Sequence, residues 1–190
     1  MTRIGIFGGT FNPIHLGHLI IAQKVLENLD LKRIIFVPCY IPAHKSKKKL
    51  VDAQDRFKMV SLAIEGNSRF KVSSWEIKQK ATSYTIDTLK HFKNKLGKNA
   101  LLFFIIGSDS LKELMKWKDV KGILKLVRLV VVNRPGYNFR KLPRGFIKVS
   151  IPGIDISSSL IRKRLSQSKS VDYFLSDKVS EYIKKKRLYV

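Results

Sequence analysis

The sequence predicts an α/β fold, a doubly wound parallel sheet with helices on both faces. Three observations carry this expectation. Short runs rich in β-branched and aromatic residues alternate with longer runs of helical periodicity along the whole chain. Two of the short runs, LLFFII at 101–106 and LVVV at 129–132, are apolar at every position, as strands covered on both faces must be. At 190 residues and 44% hydrophobic content, the chain is long enough to bury such a sheet.

Each element follows in order. Residues 3–7 (RIGIF) read as the first strand, stopped by Gly8 and Gly9. Residues 16–29 place Leu19, Ile20, Ala22, Val25, Leu26 and Leu29 at helical spacing, and Asp30 closes the helix. Residues 33–37 (RIIFV) form a second strand ended by Pro38, and 45–49 (KSKKK) form a basic loop. A helix over 53–65 carries Phe57, Val60, Leu62, Ala63 and Ile64, with Gly66 and Asn67 as its C-terminal cap. A brief strand at 70–72 and a helix at 85–96, between Ser83 and Gly97, precede the apolar run at 101–106. Residues 112–126 hold short helical stretches, and the strand at 129–132 stops near Pro135 and Gly136. A short strand at 147–149 and helices at 157–165 and 176–186 complete the pattern. There is no internal repeat, linker or domain break, so residues 1–190 are expected to form a single domain. Ligands of such sheets sit at the carboxyl ends of strands, near the switch in strand order. The segments after 3–7, 101–106 and 129–132 are therefore the places to look.

Composition excludes several classes. Cys39 is the single cysteine, so neither a disulfide framework nor a cysteine-rich zinc site is available, and a cytoplasmic location is expected. The N-terminal apolar run is too short for a signal peptide, and no stretch approaches membrane-spanning length. Thirty-eight Lys and Arg against 14 acids give a formal charge of +24, which points to an anionic partner. A nucleic-acid-binding module would interleave aromatic residues with its basic runs. The runs at 45–49 and 184–187 show little of that, so neither nucleic acid nor membrane is the expected partner.

The chemistry concentrates after the first strand, in GGTFNPIHLGH at 8–18. Paired glycines let backbone approach a ligand closely and turn sharply. His15 and His18 are three apart where a helix begins, so they face one side. Gly17 between them removes a side chain that could block a phosphate. The helix start adds backbone N–H donors and a positive dipole end. Together these describe an anion site for a phosphate chain. The spacing is not G-x-G-x-x-G and lacks the Gly-Lys-Ser/Thr of a P-loop. His44 and His91 have no cysteine or carboxylate pattern that would complete a zinc site.

These residues also carry a resemblance. GGTFNPIHLGHL resembles the H-x-G-H signature of the nucleotidyltransferase superfamily, and ISSSLIR at 156–162 resembles its I-S-S-T-x-x-R element, with Ser159 in place of Thr. IPAHK at 41–45, SYTIDT at 83–88, IGSD at 106–109, KW at 116–117 and RPG at 134–136 resemble the bacterial nicotinate-nucleotide adenylyltransferase family. The likeness runs from residue 3 to about residue 188.

The resemblance implies a Rossmann-like nucleotidyltransferase fold and a reaction in NAD biosynthesis. The adenylyl group of ATP would pass to nicotinate mononucleotide, giving nicotinate adenine dinucleotide and pyrophosphate, by direct in-line attack of the mononucleotide phosphate on the α-phosphate. Nicotinamide mononucleotide and phosphopantetheine are the alternative acceptors. Phosphopantetheine enzymes tend to have Thr where His15 stands and lack the Ser-Tyr-Thr and Lys-Trp segments. By the resemblance His15, His18 and Arg162 are catalytic, with His18 acting on the transition state. An unperturbed imidazole pKa near 6.5 lets nearby phosphates favour the protonated donor. Gly8, Gly9, Thr10, Phe11, Gly107, Asp109, Arg134, Ile156, Ser157 and Ser158 would hold ATP, and Lys45, Thr85 and Trp117 the second nucleotide. Helix capping is the competing role for Ser157, Ser158, Ser83, Thr85 and Asp109, and Trp75 is assigned to packing. Asn12 stands where many members have Asp, which removes a charge but keeps an acceptor. Mg²⁺ is expected to arrive with ATP, without a dedicated protein ligand. The oligomeric state stays open, a homo-oligomer included.

Overall fold

The structure, a computed structural model, describes residues 1–43, 50–133, 142–151, 153 and 155–190, apart from the side chain of residue 112. In chain order the elements are β1 (Thr2–Gly9), α1 (Leu16–Asn28), β2 (Arg33–Pro38), β3 (Ile41–Pro42), α2 (Ala53–Ala63), β4 (Phe70–Val72), α3 (Trp75–Gln79) and β5 (Thr82–Ser83). They continue with α4 (Thr85–Leu96), β6 (Ala100–Gly107), α5 (Ser108–Glu113), a 3₁₀ turn (Leu114–Lys116), α6 (Val120–Leu126), β7 (Arg128–Val132), β8 (Phe146–Val149), α7 (Ser158–Leu165) and α8 (Asp177–Lys186).

Six strands form one sheet in the order β4-β2-β1-β6-β7-β8, and every neighbouring pair is parallel. The chain starts at the centre, winds out to β4, returns across β1 to β6 and winds out again. The order therefore reverses between β1 and β6, and the crevice expected at a switch point opens above their carboxyl ends.

Side-chain alternation explains the two layers. On β6, Leu102, Phe104 and Ile106 face a core built with Ile86, Leu89 and Phe92 of α4 and Ile123 of α6. Phe103 and Ile105 face the opposite core, with Ile21 and Val25 of α1, Met59 and Val60 of α2, Ile161 of α7 and Val179 and Ile183 of α8. Leu102 and Phe103 are fully buried, and each such side chain stabilises the fold by about 1.5–3 kcal/mol. An apolar run with no polar alternation was needed because neither face of β6 meets water.

The elements depart from the sequence-based expectation in several places. α2 ends at Ala63 with Ile64 as its C-cap residue, so Gly66 and Asn67 lie beyond the cap, and the helical stretches after β6 begin at Ser108, not at residue 112. β1 does not stop before its glycines: Gly8 pairs with Val37 and Gly9 with Pro38. The reversal comes two residues later, where Phe11 takes a positive φ of 48°. The five-residue α3 and the two-residue ladder of β3 with β5 were not predicted. Both are too short to leave a periodicity. No helix among the described residues is long and apolar enough to cross a membrane.

Candidate active site

A cleft of about 590 Å³ lies above the carboxyl ends of β1 and β6. Its lining includes thirteen of the residues singled out in the sequence: Gly8, Gly9, Thr10, Phe11, His15, His18, Thr85, Gly107, Asp109, Trp117, Ser157, Ser158 and Arg162. Ile156 is not part of that lining; it packs partly buried against the core beside Gly17. Lys45 and Arg134, and His44 with them, fall outside the described residues.

The loop from β1 to α1 forms the floor. A Cβ on Gly9 would lie 2.8 Å from the Phe11 ring, so glycine there is a condition for folding Phe11 back under the strand. Phe11 in turn meets Phe7 edge-on at 5.7 Å between centroids and the His18 ring at 5.1 Å. His15 is the N-cap residue of α1 and is buried, whereas His18 is half-buried. Their rings lie 3.7 Å apart between centroids. The His15 backbone N–H donates to His18 Nδ1 at 3.2 Å. With Nδ1 used as an acceptor, the neutral His18 ring carries its proton on Nε2, so it is a donor without a second proton. A Cβ on Gly17 would approach His15 Nδ1 to 3.0 Å. The sequence suggested that this glycine clears space for a phosphate; the nearer demand is room for the His15 ring.

The start of α1 offers fewer donors than its sequence suggested. The Leu16 N–H donates to the Phe174 carbonyl at 2.9 Å and the His18 N–H to the His15 carbonyl at 2.9 Å.

The wall opposite is α7. Ser157 caps it, its hydroxyl accepting from the Leu160 N–H at 3.2 Å. Ser158 donates to the Pro13 carbonyl at 2.8 Å. Arg162 Nη1 donates to the Asn12 carbonyl at 2.8 Å and Nη2 to the Ser159 hydroxyl at 3.1 Å. Two segments some 145 residues apart in the chain are thereby bonded to each other.

The far end of the cleft is built by α4 and the segment after β6. Tyr84, not Ser83 or Thr85, is the N-cap residue of α4, and no side chain caps it. The Ser83 hydroxyl instead accepts from the Tyr40 N–H at 3.0 Å. Asp109 lies in the first turn of α5, whose N-cap residue is Gly107. Trp117 stands edge-on to Phe104 at 6.1 Å. Lys118 lies 4.7 Å from the centre of the Tyr84 ring and 3.3 Å from Asp87. Trp75 stacks on His91 at 4.6 Å, in keeping with a packing role.

Sequence reasoning missed three residues of this region. Arg56 is fully buried. It donates to the carbonyls of Thr10 and Tyr40 at 2.8 Å and of Val51 at 2.9 Å, tying three loops around the cleft together. Glu76 is buried at the cleft and accepts from the Thr88 hydroxyl at 2.5 Å. Burial holds its carboxyl above the ordinary range, against the lowering effect of Thr88, Ser83 and Arg56. Cys39 also lines the cleft, and burial pushes its thiol up in spite of Arg56 nearby. A thiol held in that form is a poor nucleophile. Among the described residues no three His, Cys, Asp or Glu side chains converge on a metal-sized space.

A family model described as Cytidylyltransferase-like matches residues 6–164. A "Probable nicotinate-nucleotide adenylyltransferase" of Clostridium acetobutylicum is 42% identical over 201 aligned positions, covering all of both chains. One of the same name from Bacillus licheniformis is 39% identical, covering 100% of this chain and 99% of that one. Among solved structures, Plasmodium falciparum nicotinic acid mononucleotide adenylyltransferase complexed with NaAD superposes with a TM-score of 0.82 at 23% identity. It covers 100% of this chain and 98% of its own, a likeness of fold. The chain belongs to the cytidylyltransferase-like family, among its nicotinate-nucleotide adenylyltransferases.

Proposed function

We propose that this protein transfers the adenylyl group of ATP to nicotinate mononucleotide, forming nicotinate adenine dinucleotide and pyrophosphate in the biosynthesis of NAD. The observation that carries the reading is the bonded junction of the 8–18 loop with α7, which brings His15, His18 and Arg162 to one cleft at the switch point. Full-length relatives near 40% identity support nicotinate mononucleotide, not nicotinamide mononucleotide or phosphopantetheine, as acceptor.

A mononucleotide phosphate oxygen attacks the α-phosphorus, and the bond from that phosphorus to the β-phosphate bridging oxygen breaks as pyrophosphate leaves. The attacking oxygen is already anionic at neutral pH, so no protein base or nucleophile is required, and the raised Cys39 thiol fits that. Catalysis then rests on alignment and on charge stabilisation. His18 donates from Nε2 to the phosphates while His15 lies against its ring. Arg162 supplies a permanent planar cation from the other wall. The Gly8–Phe11 backbone, Gly107, Asp109 and the start of α7 hold ATP, with Arg134 as a further candidate. Thr85, Trp117 and Lys45 serve the nicotinate nucleotide, Trp117 by stacking on its ring. Mg²⁺ comes as part of the ATP substrate, held by phosphate oxygens and water. We read the chain as one domain acting in the cytoplasm, where its surplus positive charge raises the local concentration of both anionic nucleotides.

The test is to supply ATP and Mg²⁺ with each acceptor in turn and to measure pyrophosphate and dinucleotide. Product with nicotinate mononucleotide is expected; its absence, with product from another acceptor, would refute the assignment.

A further inference from the structure

Asn12 is a junction between segments far apart in the chain. Tyr189, beyond the end of α8, donates its hydroxyl to Asn12 Oδ1 at 2.8 Å. The Val51 N–H donates to the same oxygen at 3.3 Å. The Asn12 carbonyl accepts from Arg162 at 2.8 Å. Asn12 itself is buried, 7% exposed, so this oxygen depends on protein donors more than on water.

We propose that Tyr189 is a positioning residue of the phosphate site: its hydroxyl fixes Asn12, and the Asn12 carbonyl in turn fixes the guanidinium of Arg162. The proposal rests on the reading of Arg162 as a phosphate contact.

Several features suit Tyr189 to that task. The chain leaves α8 through Arg187 at a φ of 50° and reaches Tyr189 at a φ of 66°. Two left-handed residues in three turn the phenol back toward the β1–α1 loop. Such backbone persists only where surrounding contacts hold it, and here the ring packs against the core that includes Phe11 and Ile14. Burial pushes the phenol well above its ordinary range, although Arg162 and Arg56 oppose the shift. The hydroxyl therefore stays a donor across the neutral range. Aspartate at position 12 would accept the same two bonds, so the arrangement does not need the amide.

Tyr182 supplies the control. Its hydroxyl donates to Asp55 at 2.7 Å and docks α8 on α2. Steady-state kinetics and thermal melting are measured for Y189F, Y182F, R162A and the Y189F/R162A pair. Y189F is expected to lower kcat about tenfold, with the KM for nicotinate mononucleotide within about twofold. N12D should retain the effect of Y189F, and N12A should abolish it. Y182F is expected to lower the melting temperature at least as much as Y189F while leaving kcat within about twofold. In the R162A background, Y189F should cost less than about twofold more. An unchanged kcat for Y189F beside an impaired R162A overturns the proposal alone. So does an equal kcat loss in Y182F, or a full tenfold loss added to R162A. An unimpaired R162A overturns the Arg162 assignment and this proposal together.

Discussion

The two ends of the cleft are built by different means. At the end formed by the β1–α1 loop and α7, backbone carbonyls are gripped by side chains from distant elements. Arg56 holds Thr10, Ser158 holds Pro13 and Arg162 holds Asn12, each at 2.8 Å. At the end formed by α4 and the 108–118 segment, the half-buried Trp117 rests edge-on against Phe104, and Lys118 bridges Tyr84 and Asp87 from the surface. The 108–118 segment is made of a six-residue helix, α5, and a three-residue 3₁₀ turn. The contrast follows from the chemistry. Charge that develops on a phosphorus centre is stabilised only by donors already in place, because reorganisation would cost what the contact gains. A flat ring needs a surface to lie on, which packing supplies, and the bond from Thr88 to Glu76 fixes α4 to α3 beneath that end.

Substitutions at the two ends are expected to affect different quantities. The largest effect is expected for His18→Ala, which removes a donor from the preorganised end. It should lower kcat about 10²- to 10³-fold and leave the KM for nicotinate mononucleotide within about threefold; a comparable rise in KM with kcat unchanged would place His18 in ground-state binding. Next comes Arg56→Met, which keeps the side-chain volume but strips donors from three carbonyls. A cost of about 3 kcal/mol is expected from the buried acceptors left without it, or a melting temperature lower by about 6–12 °C. Differential scanning calorimetry would show this, and an unchanged midpoint would mean that the loops are held by other contacts.

At the ring end, Trp117→Ala is expected to raise the KM for nicotinate mononucleotide about tenfold, in line with the loss of one stacked aromatic contact. Its kcat should stay within about threefold. Titration with the mononucleotide alone, followed by calorimetry, separates this from an effect on ATP. The smallest change is expected from Lys118→Ala. Its ion pair with Asp87 is exposed, 54% and 45% at the two side chains, and such pairs contribute little. A KM shift beyond about threefold would show that Lys118 contacts the substrate itself.

The same contrast explains what could be read from the sequence. The strands at 101–106 and 129–132 were legible because burial on both faces leaves unbroken apolar runs, and those runs became β6 and β7. The site segments were legible where residue types are concentrated in short strings, as in GGTFNPIHLGH and ISSSLIR. What ties those strings together was not. Tyr189 reaches Asn12 across 177 positions and Arg56 reaches Thr10 across 46, and neither contact leaves a local pattern. Arg56 did leave one trace. It is a charged residue on the same face as Ala53, Met59 and Val60, the apolar face of α2, where a cation is expected only with buried acceptors to meet it. Glu76 sits in a helix of five residues, too short to show which face is buried. Ser83 and Thr85 looked like caps because the residue types suit it. Tyr84 takes the N-cap position of α4 instead, and Ser83 is engaged with the β2–β3 connection through Tyr40.

The proposed reaction is a single displacement at the α-phosphorus, made fast by prearranged donors and without a covalent enzyme intermediate. It is tested most directly by the stereochemistry at that phosphorus, using ATP with a chiral α-thiophosphate and nicotinate mononucleotide as acceptor. One in-line displacement predicts inversion in the thio-dinucleotide product. Retention would mean two displacements through an adenylylated side chain, and would rule out direct transfer.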